Sequence, residues 1–246
     1  NLLELFIDTE RTVGKHSIRA ECCKLLGYIF KEKSLEEQNL NNFNRLTQES
    51  PDLLLKFGML YVGDLSFVLD ESLQRIGEIN TQRNRQVAQG DSDEMYFDQQ
   101  NSLMINLERV SSYLFIFQRY YEMGSWLTQF SVDFLLSSEI RDLFTRNLNY
   151  TLQTLLASYA GNPQANQANN GAFSPTNLLK SVLRVYLNLY KRNEFTESIV
   201  SDTRSFDINL FLRIPVICQK NQLLNGQELL EWKNFISQLQ QKIQEK

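Results

Sequence analysis

The chain has 246 residues, 25 Lys+Arg against 29 Asp+Glu for a formal net charge of -4, and 42% hydrophobic side chains. That composition is globular rather than disordered or collagen-like, and its mild acidity argues against a nucleic-acid groove, which needs clustered Lys and Arg to neutralise phosphates. No apolar run reaches the roughly 18 residues of a membrane span, and only 10 Gly and 4 Pro leave few sharp turns for a sandwich or barrel, so long helices are expected.

Helical periodicity dominates the chain from its start. Leu2 to Arg11 reads as a short helix broken by Gly14. Lys15 to Lys31 follows, with Ile18, Cys22, Leu25 and Ile29 at helical spacing on the face expected to turn inward. Ser34-Leu35-Glu36-Glu37 has the form of a capping box, in which the Ser oxygen meets an orphan N–H and the Glu reaches back; its helix runs to about Gln48. Ser50-Pro51-Asp52 is another start, because proline's missing N–H costs nothing at the first helical position and Asp suits the positive end. The pattern continues through Leu55, Leu65, Leu69, Leu73 and Ile76 to about Val87, interrupted by Gly58, Gly63 and Gly77. Each costs roughly 1 kcal/mol against Ala in a helix, so they mark either a closely packed neighbour or a bend. Gly90 to Asp93 reads as a loop.

Glu94 to Met123 predicts a second long helix, ended by Gly124, with Leu103, Leu107, Val110, Leu114, Phe117 and Tyr121 recurring at three or four. Tyr113 to Phe117 has strand propensity, but its length and flanks favour helix. Trp126 to Leu136 is ambiguous, with a short helix as one reading. Ser138 is expected to cap a helix to about Ala160, with Ile140, Phe144, Leu148, Leu152 and Leu155 inward. Gly161 to Ala172, rich in Asn, Gln, Ala and Gly, lacks apolar anchors and predicts a mobile loop. Ser174-Pro175 opens a helix to about Arg192, and Asn193 to Asp202 forms a short one. Ser205 or Asp207 opens the next, to about Lys220, in which Pro215 removes a backbone bond and should kink or split the helix. Asn225 caps the last, Gly226 to Lys246. The expectation is one all-α unit over 1–246 with about nine or ten helices and no strand. An α-solenoid of armadillo or HEAT-like hairpins fits, and so does an irregular helical bundle; no tidy repeat is visible.

The inventory of reactive groups is thin. Cys22 and Cys23 are adjacent, a poor geometry for a disulfide, and Cys218 stands alone, so a reducing compartment, cytoplasmic or nuclear, is expected. His16 is the only histidine, which argues against a zinc site or a histidine-based triad and for a structural or surface role. No nucleotide-binding glycine loop, zinc-protease motif or EF-hand loop occurs, and no cofactor or metal is expected. Asp70 and Glu71 sit about 100° apart on a helix, a poor arrangement for a shared proton; they read as a surface Glu with a partly packed Asp. Asp91, Asp93, Glu94 and Asp98 read as a solvated charge run. The aromatic series Tyr113, Phe117, Tyr120, Tyr121, Trp126, Phe130 and Phe134 reads first as core, with a partner groove as the alternative. The sequon Asn149-Tyr150-Thr151 lies inside a helical pattern and reads as chance. The chain opens on Asn1 with no signal pattern, so a segment of a larger protein is expected.

One phrase goes further. Ser66-Phe67-Val68-Leu69-Asp70-Glu71-Ser72-Leu73, preceded by Met59 to Asp64, resembles a near-identical phrase in the helical core of the ubiquitin conjugation factor family, the U-box chain-elongation factors of the ubiquitin-fusion degradation pathway. Weaker matches follow in the same order. They are Asn147-Leu148-Asn149-Tyr150 with Leu152-Gln153, then Phe173, Pro175, Leu178 and Leu179, then Asp202, Arg204, Ser205 and Phe206; His16 to Phe30 also sits where the family has a helix with a similar I-R phrase. The family's U-box, expected just after this core, is not seen before Lys246, and the Asn/Gln-rich stretch and Pro215 depart from the pattern. The resemblance implies a curved armadillo-like core, a non-catalytic scaffold of a ligase that extends ubiquitin chains on pre-ubiquitinated substrates for proteasomal degradation. Its implied partners are an AAA segregase ATPase, ubiquitinated substrates and, through the U-box, a ubiquitin-conjugating enzyme, with no nucleic acid or membrane. Ser66, Phe67, Leu69, Asp70, Glu71, Ser72, Leu73, Asn149, Pro175, Arg204 and Ser205 carry the resemblance and are expected to be structural. The alternatives are a generic helical-repeat adaptor unrelated to ubiquitin and, more remotely, an all-helical enzyme.

Overall fold

The computed structural model describes residues 2–88, 93–130, 132–161 and 173–245, with the side chains of 82–101 and 158–161 excepted. Ten α-helices and no strand occur among the described residues. In chain order they are α1 (Leu2–Asp8), α2 (Lys15–Lys31), α3 (Glu36–Glu49), α4 (Pro51–Ala88), α5 (Asp93–Phe130), α6 (Arg141–Gly161), α7 (Pro175–Leu189), α8 (Asn193–Ser201), α9 (Ile208–Asn221) and α10 (Gly226–Gln244). The chain is therefore all-α, as the periodicity and the scarcity of turn residues require. None of the described helices is long and apolar enough to cross a membrane.

Helix α5 is the spine. It packs against α2, α4 and α7. The α4–α5 pairing is antiparallel, because Tyr61 and Phe67 meet Tyr120 and Tyr113 respectively. Helix α2 runs the other way, with Gly27 against Met123 and Phe30 near Phe130. Helix α6 bridges α4, α7, α8 and α9, and α10 closes the far end on α7, α8 and α9. One apolar cluster runs from Leu3 to Leu239. Its far end is aromatic: Tyr186, Phe211, Trp232 and Phe235 interlock with centroids 5.4–5.9 Å apart, and Trp232 Nε1 donates to the Phe211 carbonyl at 3.1 Å.

Several helix ends follow local chemistry. The Ser174 hydroxyl accepts from the Asn177 N–H with Pro175 at the first position, and Asn225 with Glu228 forms a full capping box. Gly14 adopts φ 74° ahead of α2, a left-handed conformation that glycine takes without a Cβ penalty.

Other expectations are corrected. Cys22 faces inward, but Ile18 and Leu25 are exposed and Ile29 is only half-buried; the buried set is Arg19, Ala20, Cys22, Cys23, Leu26 and Phe30. The inward line is the expected one advanced by a single residue, a rotation of about 100°, because α5 meets α2 at Gly27 and Phe30. No capping box forms at Ser34, whose N–H and hydroxyl instead donate to Glu32 Oε1 within a 3-10 turn before α3. Gly124 does not end α5, which continues through Trp126 to Phe130. It is a contact point: a Cβ there would run into the Tyr61 hydroxyl. Gly58 is another, with Phe134 and Ile140 each 2.8 Å from where its Cβ would stand, whereas Gly63 and Gly77 face open space. Residues 132–140 form turns, and α6 begins at Arg141 on the Ser137 carbonyl rather than at a Ser138 cap. Of the two starts weighed for α9, Asp207 is the cap, and Pro215 lies inside an unbroken helix. The loop expected at Gly90–Asp93, Asp93's backbone apart, and the stretch after Gly161 lie outside the described residues, as do the side chains of Asp91, Asp93, Glu94 and Asp98.

A candidate partner-binding groove

The reactive groups are held away from chemistry. Cys22, Cys23 and Cys218 are free and buried. Burial pushes all three thiols up, Cys218 to about 12, so none is a ready thiolate nucleophile. Among the described residues no three of His, Cys, Asp and Glu gather where a metal could be held. His16 stacks on Phe67 at 4.5 Å between centroids, its Nδ1 3.5 Å from Asp64 Oδ1.

The residues of the eight-residue phrase lie along α4 and point in different directions. The Ser66 hydroxyl donates to Asn147 Oδ1 at 3.0 Å and accepts from Asn147 Nδ2 at 2.8 Å, joining α4 to α6. Phe67 is 42% exposed beneath His16, and Leu69 is buried. Ser72 is buried and donates to the Val68 carbonyl at 2.7 Å, while Leu73 packs half-buried on the core. The acidic pair is the reverse of the expectation. Asp70 is exposed, and Glu71 is the half-buried member, paired with Arg75 at 3.4 Å on its own helix. The later phrases converge. Asn149 Oδ1 accepts from the Tyr186 hydroxyl at 2.9 Å, and its Nδ2 donates to the Ile199 carbonyl and to Asp202 Oδ2. Asp202 Oδ1 in turn accepts the N–H groups of Arg204 and buried Ser205. Pro175 opens α7. Asn149 is 1% exposed, and a sequon amide so enclosed cannot meet a glycosylating enzyme in the folded protein.

A buried polar knot escaped the sequence reading as a unit. Arg19, fully buried, donates from Nε to the Phe6 carbonyl and the Thr9 hydroxyl and from Nη1 to both oxygens of Asp64 at 2.9 Å. The Tyr120 hydroxyl adds a 2.7 Å bond to Asp64 Oδ2. Burial pushes the Asp64 carboxyl up, but His16, Tyr120 and Arg19 together outweigh it and hold the group below its ordinary value.

The site on the surface is a groove of about 540 Å³ between α2, α5 and α7. Each helix contributes positions at helical spacing. Lys24, Tyr28 and Lys31 come from α2, Arg119, Glu122 and Trp126 from α5, and Asn177, Lys180 and Arg184 from α7. Five cations and one carboxylate line it, reversing the sign of the whole chain. That carboxylate is already engaged, since Glu122 accepts from Gln118 Nε2 at 2.7 Å and Arg119 Nη1 at 2.9 Å. Arg184 lies 5.8 Å over the Trp126 ring and 3.6 Å from Glu228. Lys31 and Lys180 form no ion pair among the described residues. Leu25 and Tyr28, 52% and 73% exposed, stand at the groove's edge. Of the aromatic series, Phe117, Tyr120, Tyr121 and Phe134 are core. Tyr113, Trp126 and Phe130 are half-buried, and Trp126 alone of the series reaches this groove. The basic positions were not singled out in the sequence, because nothing local places Lys31 beside Lys180. The arrangement can bind; it pairs no nucleophile with a base.

A family model described as ubiquitin elongating factor core matches residues 1–240. The chain is 25% identical to the ubiquitin conjugation factor E4 of Schizosaccharomyces pombe, over 97% of this chain and 24% of that protein. It is 24% identical to the E4 ubiquitin-protein ligase UFD2 of Saccharomyces cerevisiae, over 79% of this chain and 21% of that protein. A probable ubiquitin conjugation factor E4 of Arabidopsis thaliana is 28% identical over 86% of this chain and 21% of its own length. The chain thus spans about a quarter of the length of these relatives.

Proposed function

The chain belongs to the ubiquitin elongating factor core family, and on that premise we propose that it is the framework of a factor extending ubiquitin chains on already ubiquitinated substrates bound for proteasomal degradation. The observation that carries this reading is the family match running through all but the last turn of the ten helices. The three protonated, buried thiols support a framework that forms no thioester with ubiquitin itself. The work is positional. A rigid body holding a conjugate and a loaded conjugating enzyme together raises the effective concentration of one near the other, to the millimolar range for short tethers, and orients the attacking amine. The partners of this reading are ubiquitinated substrates, a ubiquitin-conjugating enzyme docked by a U-box and an AAA segregase ATPase. The free thiols support a reducing compartment, cytoplasm or nucleus. The residues of the eight-residue phrase, with Asn149, Pro175, Arg204 and Ser205, serve in this reading to keep the helices in register.

A chain-extension assay tests it. Activating enzyme, conjugating enzyme, ubiquitin and a ubiquitin-fused substrate are combined with this chain, with the fission-yeast relative, or with that relative carrying this chain in place of its matching segment. The chain alone should add no ubiquitin, and the chimera should lengthen conjugates. Elongation by the chain alone overturns the non-catalytic assignment. A chimera that discharges the conjugating enzyme yet builds no chains overturns the framework.

A further inference from the structure

We propose that the α2–α5–α7 groove docks an acidic peptide segment that carries one apolar or aromatic anchor. The proposal deepens the framework reading and rests on it for its biological use, since a body that transfers nothing must hold partners by surfaces of this kind.

Charge complementarity selects the occupant. Of the five cations lining the groove, Lys24, Arg119 and Arg184 are paired with Glu21, Glu122 and Glu228, which leaves the two lysines Lys31 and Lys180 as its uncompensated positive charge, in a chain whose acidic groups outnumber its basic ones, 29 to 25. Clefts of one sign focus the potential and draw the opposite charge. Lys31 and Lys180, on different helices and without ion-pair partners among the described residues, are placed to receive carboxylates. The anchor has its own seat. Leu25 and Tyr28 lie on the α2 edge, largely exposed, and Trp126, whose ring carries Arg184, lines the same groove from α5. A large apolar side chain entering there removes the exposed surface of Leu25 and Tyr28 from water, and aromatic anchors of this sort dominate binding energy at interfaces.

Size and charge disfavour other occupants. About 540 Å³ is the scale of a pocket for a short segment or small ligand, not for a folded domain. Arg119 and Arg184 already face Glu122 and Glu228, so the free cations are too few to follow a row of nucleic-acid phosphates.

Fluorescence anisotropy on the intact chain tests the proposal, with a labelled twelve-residue peptide of Asp and Glu bearing a central Phe-Leu as the probe. The expected result is saturable binding that weakens about tenfold between 50 and 200 mM salt, as screening requires for a charge-driven contact. Lys31→Glu with Lys180→Glu should weaken it tenfold or more, and Tyr28→Ala several-fold. The three side chains lie at the surface or half-buried, so an unchanged circular dichroism melt accompanies these losses. Four results overturn the proposal: no saturable binding, equal binding by the charge-reversed variant, equal binding of a Gly-Gly probe without the anchor, or equal binding of a labelled twelve-residue oligothymidylate. A dimer in sedimentation that Tyr28→Ala dissolves also overturns it and assigns the groove to a second copy. The readout involves no ubiquitin, so a failed chain-extension assay with intact peptide binding sinks the framework reading alone, and the converse sinks only this proposal.

Discussion

Arg19 and Asp64, 45 positions apart, meet inside the protein, the Arg19 Nη1 donating to both Asp64 oxygens at 2.9 Å. The pair joins α2 to α4, and Tyr120 brings α5 to the same carboxylate. The two longest helices, α4 and α5, and α2 are thus pinned at one point.

Removing one partner leaves a buried charge without its counterion, which typically costs about 3–5 kcal/mol. Asp64→Asn and Arg19→Met should each fall in that range by urea denaturation, whereas Arg19→Met with Asp64→Leu should recover much of the loss, because neither charge then remains buried alone. The pH dependence has a definite sign. The Asp64 carboxyl is held below its ordinary value of 3.8, so folding favours the ionised form. The associated stability is present above about pH 3.8 and is lost as the pH falls below it through the folded-state value. Denaturation midpoints between pH 2.5 and 6 should show this acid limb flattened in Asp64→Asn.

Asn149→Ala should destabilise by about 2–3 kcal/mol, the scale of leaving buried hydrogen-bonding groups without partners. The variant strips the Tyr186 hydroxyl of its partner, removes one of the two donors to the Ile199 carbonyl, which keeps the Asp202 N–H at 3.2 Å, and frees Asp202 from α6. Thermal unfolding measures the loss. Asn149→Asp, which keeps the acceptor for Tyr186 but sets a carboxylate against Asp202, should be no better.

The thiols supply a labelling prediction. With all three buried and their pKa values raised, Cys22, Cys23 and Cys218 should resist a thiol reagent in the native protein at pH 8. They should react only as fast as the chain opens. Rapid native labelling of any of them, read by mass spectrometry, would contradict the buried positions.

Gly124→Ala should also destabilise, by about 1–3 kcal/mol as for an overpacked core. Alanine gains about 1 kcal/mol of helix propensity over glycine, but its Cβ collides with the Tyr61 hydroxyl, which donates to the Tyr120 carbonyl. Gly63→Ala, with nothing near the added carbon, is the control and should stabilise slightly.

The family was legible in the eight-residue phrase of α4, yet the groove was not. Leu25 shows why. At helical spacing from Ile18, Cys22 and Ile29 it looks like core, and it stands 52% exposed at the groove's edge. Hydrophobic spacing announces that a helix has an apolar side; it does not say how wide that side is or which part of it a neighbour covers. Asp64 and Arg19 each sat in a phrase noticed for its family likeness, but their pairing needs α2 laid beside α4.

What the amino-acid order determined alone is what neighbours within about four residues decide: helix rather than strand, the caps at Ser174 and Asn225, and the left-handed glycine at Gly14 ahead of α2. These depend on backbone hydrogen bonds closed inside a single turn. Tertiary structure decided the rest. The rotation of α2 by one residue, the passage of α5 straight through Gly124, and the gathering of Lys31, Trp126 and Lys180 into one positive cleft are set by which helices pack together. That packing is a sum of many weak, non-directional contacts between segments far apart in the chain, and no single window of sequence contains it.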